Sequence, residues 1–370
     1  MAKFDITEIP ESTITVDLAG KIIGLVGTNN VGKSYVSARL FPGQTLWLAT
    51  EKGYNAQGGL RPYDIESWGD FRDAVSQLTT RNKKKREKVR AMYKCVVVDV
   101  ADKLPNLCNA YIISQYNEKK SAKAQSEGGE FAPITEIADI PFGGGYASLN
   151  KELDTQINKL ALSGYCVVLI FHDEIRKIKD SRGKEYEFIV PKNTFSKAGN
   201  ALKDIPDFMI YLESQGVDDD GKPILSKGYC AQHKEFFARS RFTQCPETID
   251  PFTAENLKDT VRIACEREAE ALGARVVTYQ EEEAARNEAK ASKKSSAEDL
   301  IAMIAPVVKA LVSAKYKTVA QSMIEQYLGT DENGKARKVS ECDDTDIDAL
   351  QCIYDNLVNF AEEKDVEWEE

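Results

Sequence analysis

The chain has 370 residues, 42 % hydrophobic and 29 % charged, with a formal net charge of −10. That length predicts two domains with a sizeable core, and the acidic balance excludes a uniformly basic nucleic-acid binder while leaving room for a local basic loop. Two histidines and eight scattered cysteines without a C-x-x-C pair exclude a histidine-rich metal centre and a zinc ribbon, and no apolar run is long enough to span a bilayer, so a cytoplasmic protein without membrane contact is expected.

The first element is the apolar run GKIIGLVG (20–27), which reads as a buried strand opening into a glycine-rich turn. KSYVSARLF (33–41) reads as a short helix and QTLWLATE (44–51) as a second strand. RPYDIESW (61–68) reads as a short strand or ordered loop, and a helical pattern starts at Asp70 with Phe71, Val75 and Leu78. After the basic run RNKKKREKVR (81–90) comes the apolar strand YKCVVVDV (93–100). Leu149, Leu153, Ile157 and Leu160 form one stripe of an amphipathic helix over 146–164, stopped by Gly164, and YCVVLIFH (165–172) is another buried strand. Further strands are expected at 186–193 and 206–214, and a late strand or hairpin at 227–242.

Continuous apolar strands alternating with helices predict an α/β fold with a mostly parallel sheet covered on both faces. The domain reading is a core over 1–252, a helix and charged linker over 253–296, and a small helical domain over 297–370 with segments at 299–312, 314–328 and 344–363.

GTNNVGKS (27–34) fits G-x-x-x-x-G-K-[ST] in the setting a phosphate-binding loop needs, after a strand and before a helix. Gly27, Thr28, Asn29, Asn30, Val31, Gly32, Lys33, Ser34 and Tyr35 are the expected nucleotide-binding residues. Gly27 and Gly32 let the backbone wrap an anion, amides of the loop and the helix N-terminus face the phosphates, Lys33 bridges β and γ phosphates, and Ser34 holds Mg²⁺. Asp99, ending its strand, supplies the second contact to the metal. Glu51, in LATEKG, stands where an acid can orient or deprotonate water beside the γ phosphate. His172, ending the strand expected between those of Gly27 and Asp99, is placed to sense that phosphate. Arg239 and Arg241 in FFARSRF alternate along a strand, and this pair, with Lys234, can reach a phosphate on a neighbouring subunit. Asp102 reads either as a second acid or as surface.

GLVGTNNVGKS, LWLATEKG, CVVVDVADKL, GGGYASLNKEL and VVLIFHDE together resemble the RecA-like P-loop ATPases of bacteriophages, a group that includes single-strand annealing and recombination proteins; the resemblance covers roughly residues 15–250. It implies a RecA-like P-loop NTPase core binding ATP and Mg²⁺, with Glu51 as catalytic base, Asp99 as the acid of the metal site, His172 as the polar strand tip, and Lys234, Arg239 and Arg241 as basic residues of the late hairpin. It further implies a homo-oligomer with ATP at the subunit interface and single-stranded DNA held by mobile loops.

Two loops are the DNA candidates: 119–145, with Lys119, Lys120, Lys123 and Phe131, and 173–188, with Arg176, Lys177, Lys179, Arg182 and Lys184. The run 81–90 is expected near the amino ends of the strands, away from the nucleotide. The alternative to a DNA recombination or annealing ATPase is a nucleotide-regulated assembly or loader protein that engages a phage or host replication protein through its C-terminal helices. A small-molecule kinase is a third reading, for which an acceptor site and an arginine-rich lid are missing.

Overall fold

The computed structural model describes residues 11–370 except 81, 180–182, 293–295, 331–335, 365, 367 and 369–370. Arg182, Arg81 and the opening ten residues thus lie outside the described residues. The chain forms two compact units, Ser12–Glu282 and a second made chiefly of Glu283–Glu370.

In the first unit β1 (Ile14–Thr15) and β2 (Ile22–Val26) lead to α1 (Lys33–Leu40), β3 (Thr45–Ala49) and β4 (Arg61–Asp64). Then come α2 (Trp68–Leu78), α3 (Lys83–Met92), β5 (Cys95–Asp99), α4 (Leu104–Ser126), α5 (Gly144–Leu162) and β6 (Cys166–Phe171). The remainder is β7 (Asp173–Lys179), β8 (Glu185–Pro191), α6 (Ala201–Asp204), β9 (Phe208–Glu213), β10 (Lys227–Tyr229), β11 (Arg239–Ser240), β12 (Thr248–Ile249), α7 (Ala254–Leu272) and β13 (Val276–Val277), while α8 (Tyr279–Ser292) begins in this unit and continues past its last residue.

The main sheet has the order β12-β10-β9-β2-β6-β5-β3-β4. From β9 to β4 its strands run parallel, whereas β10, β11 and β12 pair antiparallel at the β9 side. The strand that carries His172 at its end therefore does lie between the strand of the phosphate loop and that of Asp99. Side chains alternate between two cores. Leu48, Val96, Val98 and Leu169 pack with α2, α4 and α5, and Trp47, Val97, Val168 and Leu25 pack with α1 and α7. Fully burying one such residue is worth about 1.5–3 kcal/mol, so both faces of the sheet hold it rigid beneath the loops at its carboxyl rim. β4, whose four residues are all exposed, closes one edge with Pro62, which cannot donate to a further strand.

Local signals set several boundaries. Ser67 accepts from Asp70 N (3.2 Å) while Asp70 accepts from Ser67 N (2.8 Å), so α2 starts two residues before the hydrophobic pattern does. Gly164, with φ +86°, ends the α5 region, and its Cα faces the Tyr279 ring so closely that a Cβ would lie 2.6 Å from a ring carbon.

Three expectations need correction. Residues 119–126 belong to helix α4 rather than to a loop; that turn is polar and exposed, so no apolar stripe marks it. Within the stretch 173–188, Asp173–Lys179 and the start of Glu185–Pro191 belong to an antiparallel ribbon, β7–β8, in full register from Asp173↔Pro191 to Lys179↔Glu185. In the stretch 227–242 the strand reading holds and the hairpin does not, because β10 and β11 each pair with β9 and not with one another.

The second unit holds α9 (Ala297–Ser313), α10 (Lys317–Leu328) and α11 (Ile347–Glu363) around Leu300, Ile304, Val307, Leu311, Leu350 and Leu357. Ser296 and Asp299 form a capping box at α9, and Arg337 grips Asp346 with two guanidinium nitrogens at 3.0 and 2.6 Å. Among the described residues no helix is long and apolar enough to cross a membrane.

Candidate nucleotide site

The loop after β2 is shaped by its backbone. Gly27 has φ +150°, and a Cβ there would sit 2.6 Å from the Leu212 carbonyl oxygen, so only glycine lets the chain leave β2 beside β9. Asn30 (φ 65°) and Gly32 (φ 89°) then take left-handed conformations. Gly32 caps α1 without a side-chain hydrogen bond, which leaves the first amides of α1 to an anion.

Lys33 is buried, and its Nζ donates to the carbonyls of Gly27 (2.6 Å) and Thr28 (2.7 Å). Burial lowers its pKa; the charges of Asp173, Asp99 and Asp102 act the other way. The ammonium is thus held over the loop by neutral oxygens and by acids, in the place where a phosphate would complete its shell.

Asp99 is 5 % exposed. Burial raises its pKa and the nearby Glu51 adds to this, while the Ser34 hydroxyl and Lys33 favour the carboxylate. Ser34 Oγ donates to Asp99 Oδ2 at 3.3 Å. This donor set, a hydroxyl and a carboxylate, suits magnesium, a hard ion that takes one or two protein oxygens and completes its shell with water and phosphate.

Thr50 fastens the tips of β3 and β5 together. Its amide donates to the Asp99 carbonyl (2.8 Å), and its Oγ1 accepts from Val100 N (2.8 Å) and donates to Val100 O (2.9 Å). The Asp99–Val100 peptide is cis. Glu51 is thereby kept beside Asp99, and a Cβ on Gly53 would lie 3.9 Å from both Asp99 Oδ2 and Glu51 Oε1. Glu51 Oε2 is also 2.8 Å from Lys103 Nζ. His172 is level with the loop, one residue past Phe171, which pairs with Val26, and its Nδ1 is 2.9 Å from Asp102 Oδ2.

Tyr35 is half exposed on the first turn of α1, with the Arg39 guanidinium 3.4 Å from its ring centroid. Both line a cavity of about 440 Å³ that runs along α1 to Gln57, Gly59 and Leu60.

The structure thus brings Lys33, Ser34, Glu51, Asp99 and His172 to one rim. Arg239 and Arg241 lie apart from this rim within the chain. Arg239 donates to the carbonyls of Asp204 and Pro206, both at 2.8 Å. Arg241 binds Asp207 Oδ1 (3.1 Å) and the carbonyls of Asp204 and Ile205, both at 3.0 Å. That turn precedes β9, at the amino rim opposite the loop, because β11 runs antiparallel beside the start of β9. Lys234 is exposed and pairs with Glu235 at 3.5 Å. Sequence reading passed over Thr50 and Lys103 and left Asp102 undecided; the signal for Asp102 was its place three residues after Asp99, on a turn that packs inward.

A strand–loop–helix phosphate cradle with an acid at the tip of a second parallel strand defines a P-loop nucleoside triphosphatase. Residues 19–242 match the model of the AAA domain family, and the chain belongs to that family. It is 31 % identical over 360 residues, 97 % of this chain and 99 % of the other, to the SPbeta prophage-derived uncharacterized protein YorG of Bacillus subtilis (strain 168). Membership supports nucleotide hydrolysis as the general activity, with ATP and Mg²⁺ as its cofactors.

Proposed function

We propose that this protein is a RecA-like, magnesium-dependent ATPase that acts on single-stranded DNA in phage recombination or annealing. The observation that carries the ATPase reading is the Ser34–Asp99 pair beside Lys33, with Glu51 held at the same rim by the Thr50 bracket. Lys33 and the free amides of α1 bind the β and γ phosphates. Ser34 and Asp99 hold magnesium, which when bound supplies positive charge against the phosphate oxygens. Glu51 takes a proton from water as its oxygen bonds to the γ phosphorus and the bond to the departing ADP breaks. His172 serves at the γ-phosphate end.

The DNA reading rests on the same rim. Phe142 is fully exposed with φ 59°, next to Gly143 and just before α5. One turn on, Lys197 Nζ is 5.9 Å from the Tyr146 ring. Aromatic faces with a cation beside them suit stacked, unpaired bases. Phe131 packs edge-on against Tyr116, with ring centroids 6.3 Å apart. The ribbon β7–β8 offers less charge than its composition promised, because Arg176 binds Glu174 (2.7 Å), Lys179 binds Glu185 (3.4 Å) and Lys177 lies opposite Glu187. ATP between copies of the chain would make assembly follow the nucleotide state.

A protein partner is the second reading, favoured by a mainly apolar cavity of about 580 Å³ in the C-terminal unit, lined by Ile301, Ile304, Val308, Ile324 and Val339. ATP turnover measured with and without oligo(dT), and repeated with Glu51→Gln, tests the main reading. Stimulation by oligo(dT) and loss of turnover in the variant are expected. Turnover indifferent to both would remove the DNA partner and the base together.

A further inference from the structure

Asp102 is 2 % exposed, and its hydrogen bonds run to His172 and Asn193 rather than to the phosphate loop. Its Oδ2 accepts from His172 N (3.2 Å) and faces His172 Nδ1 at 2.9 Å. Its carbonyl accepts from Asn193 Nδ2 (2.9 Å), and the His172 carbonyl accepts from Lys192 N (2.9 Å), so both backbones are pinned. An ionised carboxylate can only accept hydrogen bonds. The imidazole nitrogen facing it must therefore carry the hydrogen, and in the neutral ring Nε2 is then bare. The His172 side chain is 29 % exposed while that of Asp102 is 3 % exposed, so the free nitrogen belongs to the open side of the pair.

We propose that Asp102 is a positioning residue for ATP hydrolysis, fixing His172 so that bare Nε2 accepts a hydrogen bond from the attacking water. A phosphate oxygen is itself only an acceptor and cannot bond to a bare nitrogen, whereas water can donate. Glu51 takes one hydrogen of that water and His172 orients the other; no proton moves to the ring. The proposal rests on the reading of His172 as a residue of the γ-phosphate end. Phe171, the residue before His172, pairs with Val26, the residue before Gly27, and this register puts the pair beside the start of the cradle.

The molecule carries its own control. His233 Nδ1 accepts from the Glu235 amide at 3.2 Å, so that ring must hold its hydrogen on Nε2. With only two histidines in the chain, a ¹⁵N-correlated imidazole spectrum of the wild-type protein at pH 8 resolves both. Opposite tautomers are expected, with hydrogen on Nδ1 of His172 alone; hydrogen on Nε2 of His172 overturns the proposal without any variant. In kinetics, Asp102→Asn should lower kcat by roughly 10- to 100-fold with KM for ATP unchanged, the scale on which orienting partners act. Combined with His172→Ala it should be no slower than His172→Ala alone, because both remove one interaction. Additive losses, or an unimpaired Asp102→Asn, sink the role of Asp102 while leaving His172 in place. A His172→Ala enzyme at the wild-type rate would instead remove His172 from the reaction, and the proposal with it.

Discussion

Lys103 Nζ lies 2.8 Å from Glu51 Oε2 and 3.5 Å from the Thr50 carbonyl, so the carboxylate proposed as the base is engaged by a cation. Both side chains are more than a third exposed, and pairs of that kind are worth about 0.2–1 kcal/mol. When Glu51 takes a proton in the reaction, that pairing energy is given up. Lys103→Met is therefore expected to raise basal ATP turnover by roughly two- to fivefold, the rate equivalent of that pairing energy. A fall in kcat in a steady-state assay would mean that Lys103 stabilises charge in the reaction itself.

The two loop glycines make a graded pair. Gly32→Ala meets open space and suffers only its φ of +89°, a cost of about 1–2 kcal/mol. Gly27→Ala has to displace the Leu212 backbone as well, and should destabilise by about 2–4 kcal/mol and weaken ATP binding more than tenfold. Urea unfolding and nucleotide titration of both variants check the order; a Gly27→Ala protein as stable as Gly32→Ala would show that the loop and β9 are not packed as described.

Phe142 has a fully exposed side chain, so Phe142→Ala should leave stability within about 0.5 kcal/mol of the parent. Stacking on an aromatic side chain is worth about 1–3 kcal/mol per base. Oligo(dT) affinity, read by fluorescence anisotropy, should drop about tenfold. An unchanged affinity removes Phe142 from the DNA surface.

The C-terminal unit should weaken in acid. The Arg337 guanidinium holds the Asp346 carboxyl below its ordinary range, and the Thr345 hydroxyl and amide do the same for Asp343. A carboxylate whose folded pKa is depressed contributes stability above its unfolded pKa and loses it as pH falls through the folded one. Helix content should therefore melt at lower temperature as the pH drops from about 5 towards 3, and Asp346→Asn should flatten that dependence. A melting profile that ignores the substitution would show the pair to be energetically silent.

Much of the core was legible because burial on both faces writes long apolar runs. CVVVD and CVVLIF could only be central strands, and the spacing of Gly27, Gly32, Lys33 and Ser34 named the phosphate loop directly. The end of α4 was not legible, since a helix that leaves the core keeps no apolar stripe. For Arg239 and Arg241 the alternation was plain, but their rim depends on β11 meeting β9 near its start, a long-range pairing with no local signature. In Asp102 the same gap appears in reverse: an acid among polar neighbours reads as surface, and only the packing of the turn after β5 buries it against His172.

β1 and β13 run side by side, with Ile14 opposite Val276 and Thr15 opposite Val277, and Tyr279 is moored to Asp17 (2.9 Å) and to the Leu162 carbonyl (3.3 Å). The two ends of the first unit therefore share a single anchorage at the sheet's amino rim. A pull on the chain beyond residue 282 therefore loads β13 and Tyr279 before any other part of the first unit.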